Sequence, residues 1–167
     1  EICDDLIAQG YETRVLEKTG LIINPYFSAS GAKWILDNVE GSLNDAREGH
    51  LLFGTTDTWL ICNFTSGKVH ATDYTNACRT LLFNIHTLEW DNELLDLFTV
   101  PSGMMPKVLP CDGVYGTTTM NGLLSEIPIA GVLGDSHGAL VGQMCFSRGM
   151  GKATYGTGSS VAVNIGE

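Results

Sequence analysis

Two glycine-rich segments near the C-terminal end carry residue types suited to phosphoryl transfer. The segment Gly134-Asp135-Ser136 places one carboxylate directly behind the apolar run 127–133. Further along, Gly156-Thr157-Gly158 holds a hydroxyl between two glycines. A carboxylate can accept the proton of an alcohol, and a glycine turn can present amides and a hydroxyl to phosphate oxygens. The pair therefore predicts phosphoryl transfer to an alcohol, with Asp135 as the base and the second segment as the phosphate-binding turn.

Each of these features, and one tyrosine, also has a purely structural explanation. Asp135 precedes a predicted helix, so it lies either at the carboxyl edge of a sheet, where α/β active sites gather, or at the cap of that helix. The two glycines allow positive φ and suit a phosphate-binding turn as well as an ordinary hairpin turn. Tyr26 follows Pro25 ahead of another predicted helix. Its hydroxyl could close over a polar substrate, or the side chain could bridge core and surface.

Gly134-Asp135-Ser136 also matches the Gly-Asp-Ser motif of one class of serine hydrolases, in which Ser136 would be the nucleophile. That class carries the motif near its N-terminus and has an Asp-x-x-His further downstream. No histidine follows His137 here. The hydrolase is therefore a distant alternative, and His137 is expected on the surface of a helix or in the cleft beside Asp135.

Composition excludes several classes of partner. The chain has 167 residues, 44% of them hydrophobic, with 9 Lys and Arg against 19 Asp and Glu for a formal charge of −10. Such a charge repels nucleic acids and anionic membranes. No apolar stretch approaches the roughly 20 residues of a membrane span, and no signal peptide is evident. These observations favour a cytoplasmic protein that binds a small molecule and leave a homo-oligomer open.

The cysteines and histidines favour a reducing compartment and no metal site of their own. The five cysteines are odd in number and widely spread, without a C-x-x-C pair. This pattern predicts reduced, mostly buried thiols. The four histidines have no partner at the spacing typical of zinc ligands, so no metal site built from His and Cys is predicted.

Hydrophobic periodicity predicts a mixed α/β chain around these segments. The predicted helices cover residues 2–18, 28–39, 42–48, 56–64, 91–98 and 136–146, the last with Ala139, Leu140, Val141 and Met144 toward a core. The predicted strands cover 51–55, 80–85, 114–118 and 127–133, followed by a hairpin of 153–155 and 160–165. Asp135 would then lie where strand 127–133 ends and the last helix begins.

An ordered series of motifs over most of the chain resembles the glycerol kinases of the FGGY carbohydrate kinase family. The similarity runs from about Thr19 to the end, and its order makes it far more specific than any single motif. The matching segments are 24–28, 33–36, 51–55, 57–60, 72–77, 79–80, 82–85, 134–135, 142–143 and 155–158.

The resemblance implies an actin-like ATPase (ribonuclease H-like) fold, of which this chain is a part. Residues 1–147 would be the latter part of the N-terminal domain, and residues 148–167 the opening β-hairpin of the C-terminal domain. The family's first phosphate loop, its Arg-Glu substrate clamp and its adenine-binding half have no counterpart here. The chain without a starting Met is therefore expected to be part of a longer enzyme and inactive alone.

The resemblance also implies a reaction and a set of site residues. The reaction is ATP-dependent phosphorylation of a small polyol, with glycerol to glycerol 3-phosphate as the first expectation and Mg²⁺ as the companion of ATP. Asp135 would be the catalytic base. Tyr26, Asp135 and Ser136 would bind the polyol, and Gly156, Thr157 and Gly158 would bind the phosphates of ATP.

Three positions depart from the glycerol kinase pattern. Ser136 stands where a glutamine usually binds glycerol, and Ser160 where an aromatic side chain usually packs on it. Both changes predict a larger and more polar pocket, suited to a tetritol, a pentulose or a similar ketose. Glu126 lies near a position where many bacterial members carry a basic residue for an inhibitory sugar phosphate, so that regulation is not expected. A non-catalytic, actin-like sugar-binding domain is the other alternative.

Overall fold

The computed structural model describes residues 1–122, 125–156 and 158–166. They form two compact units, Glu1–Val132 and the described part of Leu133–Glu167. The elements of the first unit are α1 (Ile2–Ala8), α2 (Glu12–Thr19), α3 (Ser28–Asn38), α4 (Ser42–Glu48), α5 (Thr56–Phe64), β1 (Ala71–Asp73), α6 (Tyr74–Ala77), β2 (Phe83–Asn84), β3 (Glu89–Trp90), α7 (Asn92–Leu97) and β4 (Lys107–Leu109), with short 3-10 turns at Ser102–Met104 and Met120–Gly122. Those of the second are α8 (Asp135–Gly142), β5 (Gly151–Tyr155) and β6 (Ser159–Val163).

The helix boundaries follow local chemistry. The predicted helix 2–18 is two helices, because the chain turns at Gly10 with a φ of 85°, a value that glycine adopts readily. Glycines with a left-handed backbone, Gly41 and Gly49, flank α4, which matches the predicted helix 42–48. Asp91 caps α7, where its carboxylate accepts a hydrogen bond from the backbone N–H of Leu94 at 3.2 Å.

One hydrophobic core holds most of the first unit together. The Phe53 ring of this core packs edge to face on Trp90, with ring centroids 6.4 Å apart, and Trp90 packs likewise on Phe83, with centroids 5.8 Å apart. A smaller cluster forms around Ile61 and Tyr115. The fully buried residues of the main core include Val15, Ala29, Leu81, Leu82, Leu94 and Phe98.

A short parallel strand pair brings two distant segments to one edge. Ala71 pairs with Lys107 and Asp73 with Leu109, so β1 and β4 run side by side in the same direction. Asp73 ends β1, and Cys111 follows β4. The hydrophobic pattern of the sequence predicts neither strand, because three residues are too few for a hydrophobic period to emerge.

Two of the predicted strands in the first half of the chain are wrong or much shorter. Residues 51–55 are irregular, although Phe53 N donates to Met104 O at 2.8 Å. The predicted strand 80–85 is reduced to β2, which pairs with β3 in a two-residue antiparallel ladder. Leu81 has a left-handed φ of 67°, which no strand can accommodate.

The predicted strands 114–118 and 127–133 lie beside each other without forming regular strands. Tyr115 N donates to Ile129 O and Ile129 N to Gly116 O, each at 2.8 Å. The described residues there contain one isolated bridge, between Thr117 and Pro128. Pro128 has no backbone N–H, so the ladder cannot continue through it.

The second unit contains the predicted hairpin and a helix shorter than predicted. In the hairpin, Thr154 pairs with Ser160 and Lys152 with Ala162. Helix α8 ends at Gly142 instead of residue 146, and Met144 beyond it has a left-handed φ of 59°. The expected core face of this helix is wrong, because none of its residues is buried and Met144 is 67% exposed.

The thiols and the helix lengths add two observations. All five cysteines are free; Cys3 and Cys145 are buried, whereas the remaining three are partly exposed rather than buried as expected. Across the described ranges, no helix has both the length and the apolar character that a membrane crossing requires.

Candidate functional site

Asp135 is the first residue of α8 and is exposed to solvent. The helix cap is Gly134, so Asp135 does not occupy the capping position that was its structural alternative. Its Oδ1 accepts a hydrogen bond from Ser136 N at 2.6 Å. A carboxylate in the first turn also interacts favourably with the positive end of the helix dipole. The side chain is therefore held in place by its own helix while remaining accessible.

Asp135 has no acidic neighbour in its part of the sequence. It is the only Asp or Glu from Leu133 to Gly166, a stretch that also contains Arg148 and Lys152. Within Leu133–Gly166, Asp135 is therefore the one candidate for a carboxylate base. A carboxylate that acts as a general base must be accessible to the substrate, and the Asp135 side chain is exposed.

Ser136 is linked to the hairpin by a residue that the sequence analysis did not name. Lys152, on β5, is only 2% exposed. Its Nζ donates to Ser136 Oγ at 3.4 Å, to Thr154 Oγ1 at 2.8 Å and to Ser160 Oγ at 3.3 Å. The two serines that depart from the glycerol kinase pattern thus share one donor. The period of two along β5, which puts Lys152 and Thr154 on one face, was the available signal.

The turn between β5 and β6 differs from the predicted phosphate-binding geometry in one respect. Gly156 is not among the described glycines with a positive φ, so this position does not need glycine for a left-handed backbone. A Cβ at Gly158 would meet nothing within 4 Å, and one at Gly156 only ordinary contact. What the glycines provide is an open approach to the backbone. Thr157 lies outside the described residues.

Tyr26 belongs to the first unit and is 82% exposed. Its ring contacts Phe27 edge to face, with centroids 5.3 Å apart, and its N–H donates to Asn24 Oδ1 at 2.9 Å. An exposed ring does not fit the alternative of a tyrosine that bridges core and surface. The asparagine turn and the phenylalanine hold the residue while leaving its phenol accessible.

A second polar cluster, absent from the sequence analysis, surrounds Asp73 in the first unit. This carboxylate is fully buried and caps α6. It accepts hydrogen bonds from Thr75 N and Oγ1 at 2.8 and 2.5 Å, from Asn76 N and Nδ2 at 3.1 and 2.6 Å, and from Cys111 Sγ at 3.1 Å.

Electrostatics mark the Asp73 cluster as structural. Burial alone would raise the pKa of Asp73, but the hydrogen bonds from Thr75, Cys111 and Asn76 outweigh burial and hold this pKa below its usual value. Burial and the neighbouring carboxylate raise the pKa of Cys111 to about 11. The carboxylate is occupied by five donors, and the thiol is kept protonated. No set of three or more His, Cys, Asp or Glu side chains within the described ranges is arranged to hold a metal ion.

Comparison with known proteins gives the same relatives by sequence and by structure. A family model described as "FGGY family of carbohydrate kinases, N-terminal domain" matches residues 1–142. The glycerol kinase of Bacillus cereus (strain AH187) is 56% identical over 100% of this chain, and that of Shewanella frigidimarina is 57% identical over 99%. The chain spans about a third of these relatives, 34% and 33% of their lengths.

Solved structures extend the comparison to the fold. The structure of Plasmodium falciparum glycerol kinase with ADP matches 97% of this chain and 32% of its own, with a TM-score of 0.90 and 33% identity. The structure of a ligand-bound xylulose kinase from Lactobacillus acidophilus matches 96% of this chain and 32% of the kinase chain, with a TM-score of 0.79 and 22% identity. At this identity, the match is evidence for the fold alone. The predicted actin-like ATPase fold is thereby confirmed, as part of a larger structure. Sequence and structure together establish that this chain belongs to the FGGY family of carbohydrate kinases.

Proposed function

We propose that the protein to which this chain belongs transfers the γ-phosphoryl group of ATP to a hydroxyl of a small polyol, converting glycerol to glycerol 3-phosphate. The observation that carries the proposal is Asp135, an accessible carboxylate at the start of α8 with no other acid nearby in sequence. Relatives at 56% and 57% identity named glycerol kinase support it. With a kinase family as the context, the serine hydrolase interpretation of Ser136 is set aside.

In the proposed reaction, Asp135 accepts the proton of the attacking hydroxyl. The hydroxyl oxygen forms a bond to the γ-phosphorus while the bond from that phosphorus to the β–γ bridging oxygen breaks, and ADP leaves. Ser136 and Tyr26 would orient the acceptor by hydrogen bonds, and positioning of this kind supplies much of the rate enhancement. Gly156, Thr157 and Gly158 would lie against the phosphates.

ATP and Mg²⁺ are the proposed cofactors. Mg²⁺ prefers oxygen ligands and is commonly held by one or two carboxylates together with water and substrate phosphates. Because Asp135 is the proposed base and Leu133–Gly166 offers no second carboxylate, substrate phosphates and water would hold the ion in this part of the site. When bound, the ion neutralises charge that develops on the phosphates.

We also propose a domain boundary and a cellular location. Residues 1–147 would belong to the N-terminal kinase domain and residues 148–167 would open the next domain. A cytoplasmic location suits an enzyme that consumes ATP, and the net charge of −10 fits a small-molecule substrate better than a nucleic acid.

The test is the Asp135→Asn variant of the complete protein. Loss of a general base lowers turnover by about 10²–10⁴-fold, and the amide is nearly isosteric, so the circular dichroism spectrum should not change. Asp112→Asn, at an exposed position in the first unit, is the matched control and should keep wild-type turnover. Near-normal ADP release by Asp135→Asn would contradict the assignment of the base.

A larger acceptor is the second candidate, and the serine hydroxyls around Lys152 favour it. Ser136 is smaller than the glutamine expected at its position, and Ser160 is smaller and more polar than the aromatic side chain expected at its position. ADP release should therefore be measured with glycerol, a tetritol and a pentulose. Absence of ADP release with every acceptor, together with binding of one of them, would support the non-catalytic sugar-binding domain instead.

A further inference from the structure

The cluster around Lys152 has a buried cation beneath accessible hydroxyls. The Lys152 side chain is nearly excluded from solvent, whereas Thr154 and Ser160 are exposed and Ser136 is half-buried. Thr154 and Ser160 are direct cross-strand partners, and Lys152 precedes Thr154 by two residues on the same face of β5. The hydroxyls therefore form a small polar surface supported from below by one ammonium group.

The donor pattern fixes what this surface can offer to a ligand. A lysine ammonium has three hydrogens to donate and no lone pair, and Lys152 Nζ has three hydroxyl acceptors. A hydroxyl that accepts from an ammonium still has its own hydrogen to donate. Bonds in a chain polarise each other, so these hydrogens become stronger donors. The surface is thus suited to an oxygen that accepts hydrogen bonds.

The charge balance points the same way. No carboxylate of the described residues lies within salt-bridge distance of Lys152 Nζ. A buried cation is costly unless polar groups solvate it, and here neutral hydroxyls do so. A ligand oxygen with a partial negative charge, such as a carbonyl or hydroxyl oxygen, could accept from these hydroxyls and so interact with the ammonium through them.

We propose that Lys152 is a positioning residue for substrate selection: it orients Ser136 and Ser160 to bind an oxygen on an acceptor longer than glycerol. This inference rests on the phosphoryl transfer of the proposed function, because it assumes that Asp135 activates the acceptor hydroxyl, and it makes glycerol an accepted but poorer substrate. Ser136 follows Asp135 directly, so its hydroxyl lies close to the reacting end of the acceptor. Ser160 extends the surface along the hairpin, where a three-carbon polyol has no further oxygen to offer. The selected class is a polyol or ketose with four or five carbons.

The experiment compares acceptors in the complete protein by ADP release. The probes are glycerol, erythritol and ribulose, and the readout is the ratio of kcat/KM for the better longer acceptor to that for glycerol. Wild type should favour a longer acceptor. Lys152→Met and Ser160→Ala should each lower the ratio about tenfold, the effect of one or two lost hydrogen bonds, and the change should appear in KM rather than kcat.

A control variant, Lys107→Met, and the Ser160→Ala variant separate the possible failures. Lys107→Met removes an exposed lysine of the first unit and should leave the ratio unchanged. Ser160→Ala removes only an exposed hydroxyl, so it tests the inference even if Lys152→Met does not fold. Preference of wild type for glycerol, or an unchanged ratio in Ser160→Ala, would overturn the inference while leaving the kinase proposal intact. No turnover of any acceptor by wild type would instead overturn the proposed function.

Discussion

Replacing Asp73 by alanine should destabilise the edge at which β1 and β4 end. The substitution removes the acceptor of two backbone amides in the first turn of α6, and loss of such a cap costs about 1 kcal/mol. It also leaves the side-chain donors of Thr75, Asn76 and Cys111 without their acceptor. Unsatisfied donors cost about 1–3 kcal/mol, but Thr75 and Asn76 are partly exposed and can turn to water. The expected total is about 3 kcal/mol.

Hydrogen exchange in the complete protein measures this cost locally. A loss of about 3 kcal/mol corresponds to roughly a hundredfold faster exchange of the amides of Thr75 and Asn76, if they exchange by opening of this segment. Asp112→Ala removes an exposed carboxylate close to Cys111 in sequence and should change exchange little. Asp73→Asn keeps one acceptor oxygen and should fall between the two. Exchange in Asp73→Ala within threefold of wild type would refute the reasoning that these five hydrogen bonds stabilise the edge.

Two more predictions concern the stability of the first unit, each read from urea denaturation of the complete protein. Arg14 and Lys18 hold the pKa of Glu93 at about 2, and the pKa of Asp91 is also lowered, because hydrogen bonds led by that from Lys18 outweigh the effect of burial. Carboxyl groups with a lowered pKa stabilise the fold above about pH 4, and this stabilisation is lost as the pH falls toward 2. The urea midpoint of wild type should therefore decrease over this range, and Asp91→Asn should make the decrease smaller. A urea midpoint of wild type that does not change with pH would contradict this. Phe98→Ala leaves a cavity at a fully buried position and should lower the free energy of unfolding by about 3–5 kcal/mol. A decrease below about 1 kcal/mol would contradict this prediction and indicate that neighbouring side chains fill the cavity.

The elements that the sequence predicted well are those with a local cause. The capping aspartate of α7, the glycines on both sides of α4 and the alternation in the β5–β6 hairpin are each encoded within a few residues. The predicted α/β class and the resemblance to carbohydrate kinases were confirmed as well. The order of short motifs along the chain retained the information that single motifs lacked.

The elements that it missed depend on partners far away in sequence. An apolar run such as 127–133 indicates burial but does not say whether a continuous ladder lies beside it, and Pro128 interrupts the one that forms. The role of Lys152 was missed because a single lysine in a strand is usually solvent-exposed. Its contacts with Ser136 and Ser160 become visible only when the register of the hairpin and the position of α8 are known.

The parallel pairing of β1 with β4 imposes an order on folding. Ala71 and Lys107 are partners across a long loop that contains α6, β2, β3 and α7. The entropy of closing that loop must be offset before a three-residue ladder gains any free energy. The hydrogen bond from Cys111 to Asp73 can form only when both strands are present, whereas those from α6 to Asp73 are local. We therefore expect α7 and its hydrophobic contacts to form early and this edge to form late, so it is the part of the first unit most exposed to misfolding during synthesis.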